Sequence, residues 1–260
     1  MPPVESSSVL LTDRIAVVTG AAAGIGRASA LALARFGADV AVCDRDAPNL
    51  KTVVEEIEAT GRSALPGELD VRDAEAVAAF AAHVNGRFGR VDILVNNAGG
   101  GFHSPLLDVN AKGRDALVQE NFGSVVNFVQ AFVPLMSDGG SIVNLTSSEA
   151  HRAAPGYAIY AAQKWAVRGL TQTLALELGD RRIRVNCVAP DAIPTPGIGE
   201  LQPPPRTPLM LMADADDVAA AVVFLAGDMS RFVTGTTVHV DGGIVAAGGW
   251  HRRGDGSWMT

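Results

Sequence analysis

The stretch Val17-Val18-Thr19-Gly20-Ala21-Ala22-Ala23-Gly24-Ile25-Gly26 ends an apolar, β-branched run and opens a helical pattern. Strand, glycine-rich turn and helix in that order start a βαβ unit. Gly20, Gly24 and Gly26 permit a tight turn and let backbone N–H groups approach a pyrophosphate, with Ala23 and Ile25 completing the loop. The N-terminus of the following helix adds partial positive charge. The spacing is Gly-x-x-x-Gly-x-Gly rather than the commoner Gly-x-Gly-x-x-Gly. An ordinary glycine-rich βα turn is the plainer alternative.

Asp44 closes the next strand-like run, 18 residues after Gly26. A carboxylate there can accept both ribose hydroxyls of a dinucleotide and would repel a 2′-phosphate. Arg45 follows it and could pair with that phosphate, but the glycine loop itself carries no basic residue. NAD is therefore expected in preference to NADP.

Outward from this unit, apolar runs at 15–19, 39–44, 64–69, 91–95, 141–145, 184–188 and 237–240 alternate with helical patterns. The helical patterns cover 25–36, 49–59, 74–88, about 114–136, 158–178 and 216–225. Alternation of this kind predicts an α/β fold: a Rossmann-like, doubly wound, parallel seven-stranded sheet with helices on both faces, in a single domain. We place that domain at 12–243, after a flexible start at 1–11 and before a tail at 244–260. Residues 190–213 hold seven of the fourteen prolines, which predicts a long irregular loop facing substrate. The tail contains Trp250 and Trp258; docking on a neighbouring subunit, docking on its own surface and disorder are all open for it.

Composition excludes several classes. With 28 acidic and 21 Lys or Arg residues the net charge is −7, which offers no nucleic-acid footprint. The basic cluster Arg181, Arg182 and Arg184 reads as a helix-to-strand turn. No run is long and apolar enough for a membrane span, and the start lacks a signal-peptide pattern, so a cytoplasmic protein is expected. Cys43 and Cys187 lie in apolar runs and read as buried thiols; no Cys/His cluster has zinc spacing, and no metal is expected.

Several further motifs occur in order: Asp70-Val71, Asn96-Asn97-Ala98-Gly99, Asn121, Ser147, Tyr160-x-x-x-Lys164 and Val238-His239-Val240-Asp241-Gly242-Gly243. Together with the glycine loop they resemble the short-chain dehydrogenase/reductase family over about residues 12–243. The resemblance implies that Asp70 and Val71 contact adenine and that Asn97, Ala98 and Gly99 line the cofactor cleft. Asp70 as a helix N-cap and Asn96-Asn97 as a simple turn remain alternatives. It also implies an assembly as a homotetramer.

The chemistry follows from spacing as well. Moving hydride to or from an alcohol carbon requires a proton to move at its oxygen. Tyrosine, near pKa 10, is a poor base at neutral pH, and a nearby cation favours its phenolate. Tyr160 and Lys164 are four residues apart on one helix and share a face. Lys164 is thus expected to lower the Tyr160 pKa and, by resemblance, to bind the nicotinamide ribose. A serine at the end of the strand before Tyr160 would orient the substrate oxygen; Ser147 and Ser148 both stand there, and the resemblance selects Ser147, 13 residues before Tyr160. Asn121 resembles the family residue that kinks its helix and holds a water for proton relay; a mid-helix polar residue facing solvent is the alternative. After the sixth strand the family shows Pro-Gly and then Thr. Here the run is Pro190-Asp191-Ala192-Ile193-Pro194-Thr195, with Ile193 and Thr195 still expected at the carboxamide. Candidate substrate residues are Ser147, Glu149, His151, Tyr157 and Met210, and the surroundings suit a hydrophobic alcohol or ketone. The expected partner is thus a small molecule, not nucleic acid or membrane. A 3-oxoacyl-thioester reductase using NADPH and, more distantly, a non-catalytic dinucleotide sensor are the alternatives.

Overall fold

The structure, a computed structural model, describes residues 3, 5–198, 207–253 and 255–259. Seven strands, β1 (Ile15–Thr19), β2 (Asp39–Asp44), β3 (Ala64–Glu68), β4 (Val91–Asn96), β5 (Met136–Leu145), β6 (Ile183–Pro190) and β7 (Thr237–Val240), form one sheet. Their order is β3-β2-β1-β4-β5-β6-β7, and every adjacent pair is parallel. The expected Rossmann-like sheet is the one observed.

Both faces of this sheet are covered, which is why its central strands are apolar throughout rather than alternating with polar residues. Side chains alternate between two cores. Ala16 and Val18 of β1 pack with α1 (Gly24–Arg35), α2 (Ala47–Glu58) and α7 (Ala215–Ala226). Val17 points the other way, toward α3 (Ala74–Phe88), α5 (Ser124–Phe132) and α6 (Ala158–Glu177). The chain winds outward from β1 to β3, then crosses back to β4 beside β1. That crossover makes a crevice at the carboxyl ends of β1 and β4, where open α/β sheets place ligands.

Local chemistry sets the boundaries. Asp46 caps α2, accepting from the Asn49 N–H at 3.2 Å, so the helix starts at Ala47, with Pro48 tolerated in its first turn. Asp73, not Asp70, caps α3, accepting from the N–H groups of Glu75 and Ala76. The helical pattern at 114–136 is broken: α4 (Ala111–Val118) runs into a single π turn at Gln119–Gly123, then α5, then a 3₁₀ turn at Val133–Leu135 containing Pro134. The strand that follows begins at Met136, earlier than its apolar run suggested. Met136 pairs with Val91, and a register shift between Val91 and Ile93 accommodates the polar, glycine-containing stretch.

The start and the tail are more structured than their sequences suggest. Ser6–Val9 form a 3₁₀ turn, and Leu11 is buried, its N–H donating to the Phe36 carbonyl at 2.7 Å. The tail forms a helical turn, α8 (Ile244–Ala247), and an antiparallel pair, β8 (His251–Arg252) and β9 (Trp258–Met259). Trp250 and Trp258 stay exposed there. Arg181 donates to the carbonyls of Val133 and Met136, and Arg184 to those of Ala226 and Gly227, so both tie the ends of neighbouring elements together. Cys43 and Cys187 are free and buried. Among the described residues no helix is long and apolar enough to cross a membrane.

The glycine loop is held by close approach. A Cβ on Gly26 would stand 2.0 Å from the Gly20 carbonyl oxygen and 2.5 Å from Asn97 Nδ2. Gly26 therefore packs α1 against the turn. Gly26→Ala is expected to cost several kcal/mol by forcing the turn apart, read as a loss of thermal stability together with a loss of dinucleotide binding; a variant as stable as the parent would reject this role.

Candidate active site

A cleft of about 720 Å³ opens across the carboxyl ends of the strands, from Asp44 and Asp70 at one end to Ser147, Tyr157 and Tyr160 at the other. Of the residues singled out in the sequence, it is lined by Gly20, Ala23, Gly24, Ile25, Asp44, Arg45, Asp70, Val71, Asn97, Ala98 and Gly99. Ser147, Glu149, Tyr157, Tyr160, Lys164, Pro190, Ile193 and Thr195 line it as well.

The glycine-loop wall is built by hydrogen bonds that need these residue types. Thr19 Oγ1 accepts from the N–H groups of Asn97 and Ala98 at 3.0 and 2.9 Å. Asn97 Nδ2 donates back to the carbonyls of Thr19 and Gly20 at 3.0 and 3.1 Å. Gly20 has φ +64°, and a Cβ on it would stand 2.9 Å from Ala98 Cα. Asp44 accepts from the N–H groups of Ala22 and Asp46, which fixes its carboxylate at the end of β2. Asp70 is held by the Arg72 guanidinium and backbone, and that hydrogen bonding keeps its carboxyl below the usual range.

At the other end, Lys164 is buried and donates from Nζ to the Leu145 carbonyl at 3.0 Å. Burial pulls its pKa down to about 8, against smaller upward pulls from Cys187 and Glu120. Its Nζ lies 5.5 Å from the centre of the Tyr160 ring. The expectation that Lys164 lowers the tyrosine pKa is not met by the protein groups alone. Burial pushes the partly buried Tyr160 phenol up, Glu149 and Tyr157 add to this, and only a Ser147 hydrogen bond pulls it back. The reason is geometric: the ammonium group sits over the ring face and donates to Leu145 rather than to the phenol oxygen.

Asn121 lies at the π turn, fully buried, and does not itself line the cleft. Its Nδ2 donates to the carbonyls of Gly100 and Leu117 at 2.8 and 3.0 Å, and its Oδ1 accepts from the Gly100 N–H at 3.1 Å. The solvent-facing alternative is thus excluded; the side chain ties the broken helix to the loop beyond β4. Gly26 also lies outside the cleft lining.

Two candidate substrate residues do not reach the cleft. His151 caps the short 3₁₀ turn Ser148–Ala150 and turns toward β7, where its ring meets His239 edge-on at 4.3 Å. Met210 has a left-handed φ of +58°, is 68% exposed and does not line the cleft. Residues 199–206 of the proline-rich loop, including Pro203, Pro204, Pro205 and Arg206, lie outside the described residues.

The sequence reading missed Glu120, Leu145 and Thr146, all in the cleft wall; Arg152, within the segment 149–156 expected to face substrate, lies in that wall too. It also left Asp191 open. Asp191 has no left-handed backbone, so glycine's freedom is not needed there. Its Oδ1 accepts from Ser148 Oγ at 2.6 Å and from Arg152 Nη2 at 3.0 Å.

The parallel sheet, the glycine turn at its crossover and the Ser147–Tyr160–Lys164 group define an oxidoreductase of the dinucleotide-binding class. Comparison makes this specific. The family model described as Enoyl-(Acyl carrier protein) reductase matches residues 20–245. A cyclohexanol dehydrogenase of Rhodococcus sp. is 39% identical over 90% of this chain and 97% of that protein. A 3-oxoacyl-[acyl-carrier-protein] reductase of Thermotoga maritima is 38% identical over 90% of this chain and 99% of that protein. Carveol dehydrogenase of Mycobacterium avium, solved in complex with NAD, superposes with a TM-score of 0.85 at 30% identity, covering 89% of this chain and 97% of that one. The chain belongs to the short-chain dehydrogenase/reductase family.

The cleft fits the nicotinamide dinucleotide such enzymes use. Its volume suits a large ligand, α1 presents its N-terminus to it, and a fixed carboxylate stands at the end of β2.

Proposed function

We propose that this protein interconverts a secondary alcohol and a ketone on a neutral, largely apolar small molecule, using NAD(H). The observation that carries this reading is the meeting of Ser147, Tyr160 and Lys164 at one end of a cleft whose other end is closed by Asp44. A related cyclohexanol dehydrogenase and a neighbour bound to NAD support it.

When bound, the nicotinamide supplies or accepts the hydride. The chain's own residues do the rest. The Ser147 hydroxyl orients the substrate oxygen. The Tyr160 phenol gives a proton to that oxygen in reduction and takes one in oxidation. Lys164 sets the charge beneath the ring and holds the nicotinamide ribose, and Asn121 fixes the loop at Gly100 that roofs the cleft. Because burial favours the protonated phenol, reduction is expected to proceed at neutral pH and oxidation to gain rate as pH rises. At the adenosine end, Asp70 and Val71 flank adenine and Asp44 accepts the ribose hydroxyls, while Pro190, Ile193 and Thr195 border the carboxamide.

The experiment is turnover of a panel of secondary alcohols and ketones with NAD(H) and NADP(H) at equal concentrations. Activity with NAD(H) is the expected result; silence toward every alcohol with intact NAD binding would reject the reading. Asp44→Asn is expected to shift the NAD-over-NADP preference by roughly 10–100-fold toward NADP, the worth of one or two charge-assisted hydrogen bonds. An unchanged ratio would remove Asp44 from the ribose site.

A second reading, an NADPH-dependent 3-oxoacyl-thioester reductase, is favoured by two observations: Arg45 faces the cleft beside Asp44, and a relative bears that name. A 3-oxoacyl thioester with NADPH in the same panel separates the two. The chain is further expected to act as a homotetramer, with α6 offering exposed Trp165 and Leu176; light scattering that gives a monomer mass would reject this.

A further inference from the structure

The substrate end of the cleft contains an ion network that the proton-transfer step does not itself require. Arg152 lies in the cleft wall, five residues after Ser147. Its Nη2 bridges Glu149 Oε1 at 2.9 Å and Asp191 Oδ1 at 3.0 Å. Asp191 is fixed in turn by Ser148 Oγ at 2.6 Å, and Glu149 also faces the cleft. The bridge joins the 3₁₀ turn after β5 to the turn after β6, the two segments that border the position of the reacting oxygen.

Two consequences follow from charge and valence. Both bonds between described residues use Nη2, which leaves the three N–H donors on Nε and Nη1 of a guanidinium whose side chain is 41% exposed. An arginine clamped by two carboxylates cannot swing aside, so those donors are held in a fixed direction. The three groups together carry a net charge of −1, and Glu120 and Lys164 in the same cleft offset one another, so the carboxylate excess remains. An anionic substrate group would meet an excess of carboxylate, whereas a neutral oxygen would meet free donors with no charge to neutralise.

We propose that Arg152 is the specificity-determining residue, holding a second, uncharged oxygen on the substrate, and that the cleft takes neutral dioxygenated carbonyl compounds such as diketones and hydroxyketones. This rests on the reading of Tyr160 as the proton-transfer residue, because it assigns the second oxygen relative to the first. Asp191 and Glu149 are the positioning residues that keep Arg152 in place.

The test is affinity, measured by calorimetry on the full chain with NAD bound, so that it does not depend on turnover. The probes are cyclohexanone, cyclohexane-1,2-dione, cyclohexane-1,4-dione and 4-oxocyclohexanecarboxylate. At least one dione is expected to bind about 10-fold or more tightly than cyclohexanone, the worth of one hydrogen bond to a charged donor, and the carboxylate more weakly than either. In Arg152→Met the preference for the dione should vanish. In Asp191→Asn, which removes one negative charge, the carboxylate should gain on cyclohexanone. A dione preference unchanged in Arg152→Met, no dione preference in the parent, or tightest binding of the carboxylate would overturn the proposal. A dione preference that depends on Arg152 in a protein that turns over no alcohol would count against the Tyr160 reading instead.

Discussion

Tyr160→Phe is expected to lower kcat by roughly 10²–10⁴-fold, the usual contribution of a positioned general acid or base, while NAD binds with little change. The substitution removes the phenol oxygen alone. The ring, its contact with Tyr157 at 6.4 Å and its place over Lys164 all survive in phenylalanine. The residual rate should also lose the limb of the pH profile that belongs to the phenol. That profile carries a sign. Burial favours the neutral phenol, so oxidation in the parent should rise with pH and reduction should fall as the proton is lost. Stopped-flow hydride transfer with either substrate checks both. Turnover near the parent level would end the assignment, and a collapse of NAD affinity would mean that the residue is structural.

Lys164→Met is expected to be nearly as damaging to turnover, by roughly 10²-fold or more, and to change the pH dependence of folding in a defined direction. The folded pKa of about 8 lies below the ordinary lysine value. Between these two values the unfolded chain holds a proton that the folded chain has released. Stability therefore rises with pH across that window and is lowest, for this group, below it. A tenfold difference in proton affinity between the folded and unfolded chains corresponds to about 1.4 kcal/mol, so the parent should gain about 2–3 kcal/mol relative to Lys164→Met between roughly pH 7 and pH 10. The variant also leaves the Leu145 carbonyl without its donor, which lowers its stability by a similar amount at every pH and leaves the slope untouched. Denaturant titrations at several pH values measure that slope. Parallel stability curves for the two proteins would show that Lys164 is not held with a depressed pKa.

Both expectations place function against stability. The site keeps a cation among apolar residues and a phenol beside a carboxylate, arrangements that a chain selected only for folding would avoid.

The sequence by itself determined the class of fold and the chemistry at its centre. Short apolar, β-branched runs alternate with helical patterns of period 3.6, and both signals are local, so the succession of the seven strands along the chain and the position of the glycine turn could be read directly. Tyr160 and Lys164 share a helix, and their relation needs no tertiary information. What only the tertiary structure decided were the meetings of distant segments. Arg152 and Asp191 are 39 residues apart, and Ser148 and Asp191 are 43 apart. Nothing periodic links such positions; they meet because β5 and β6 are adjacent in the sheet and end at the same edge. The same holds where the reading of single residues failed. His151 lies one residue from Arg152 but faces β7, because successive residues in a turn point in different directions. Met210 follows a loop whose path no spacing rule describes. The low pKa of Lys164 is likewise a property of its burial, which exists only once the sheet and α6 have packed around it.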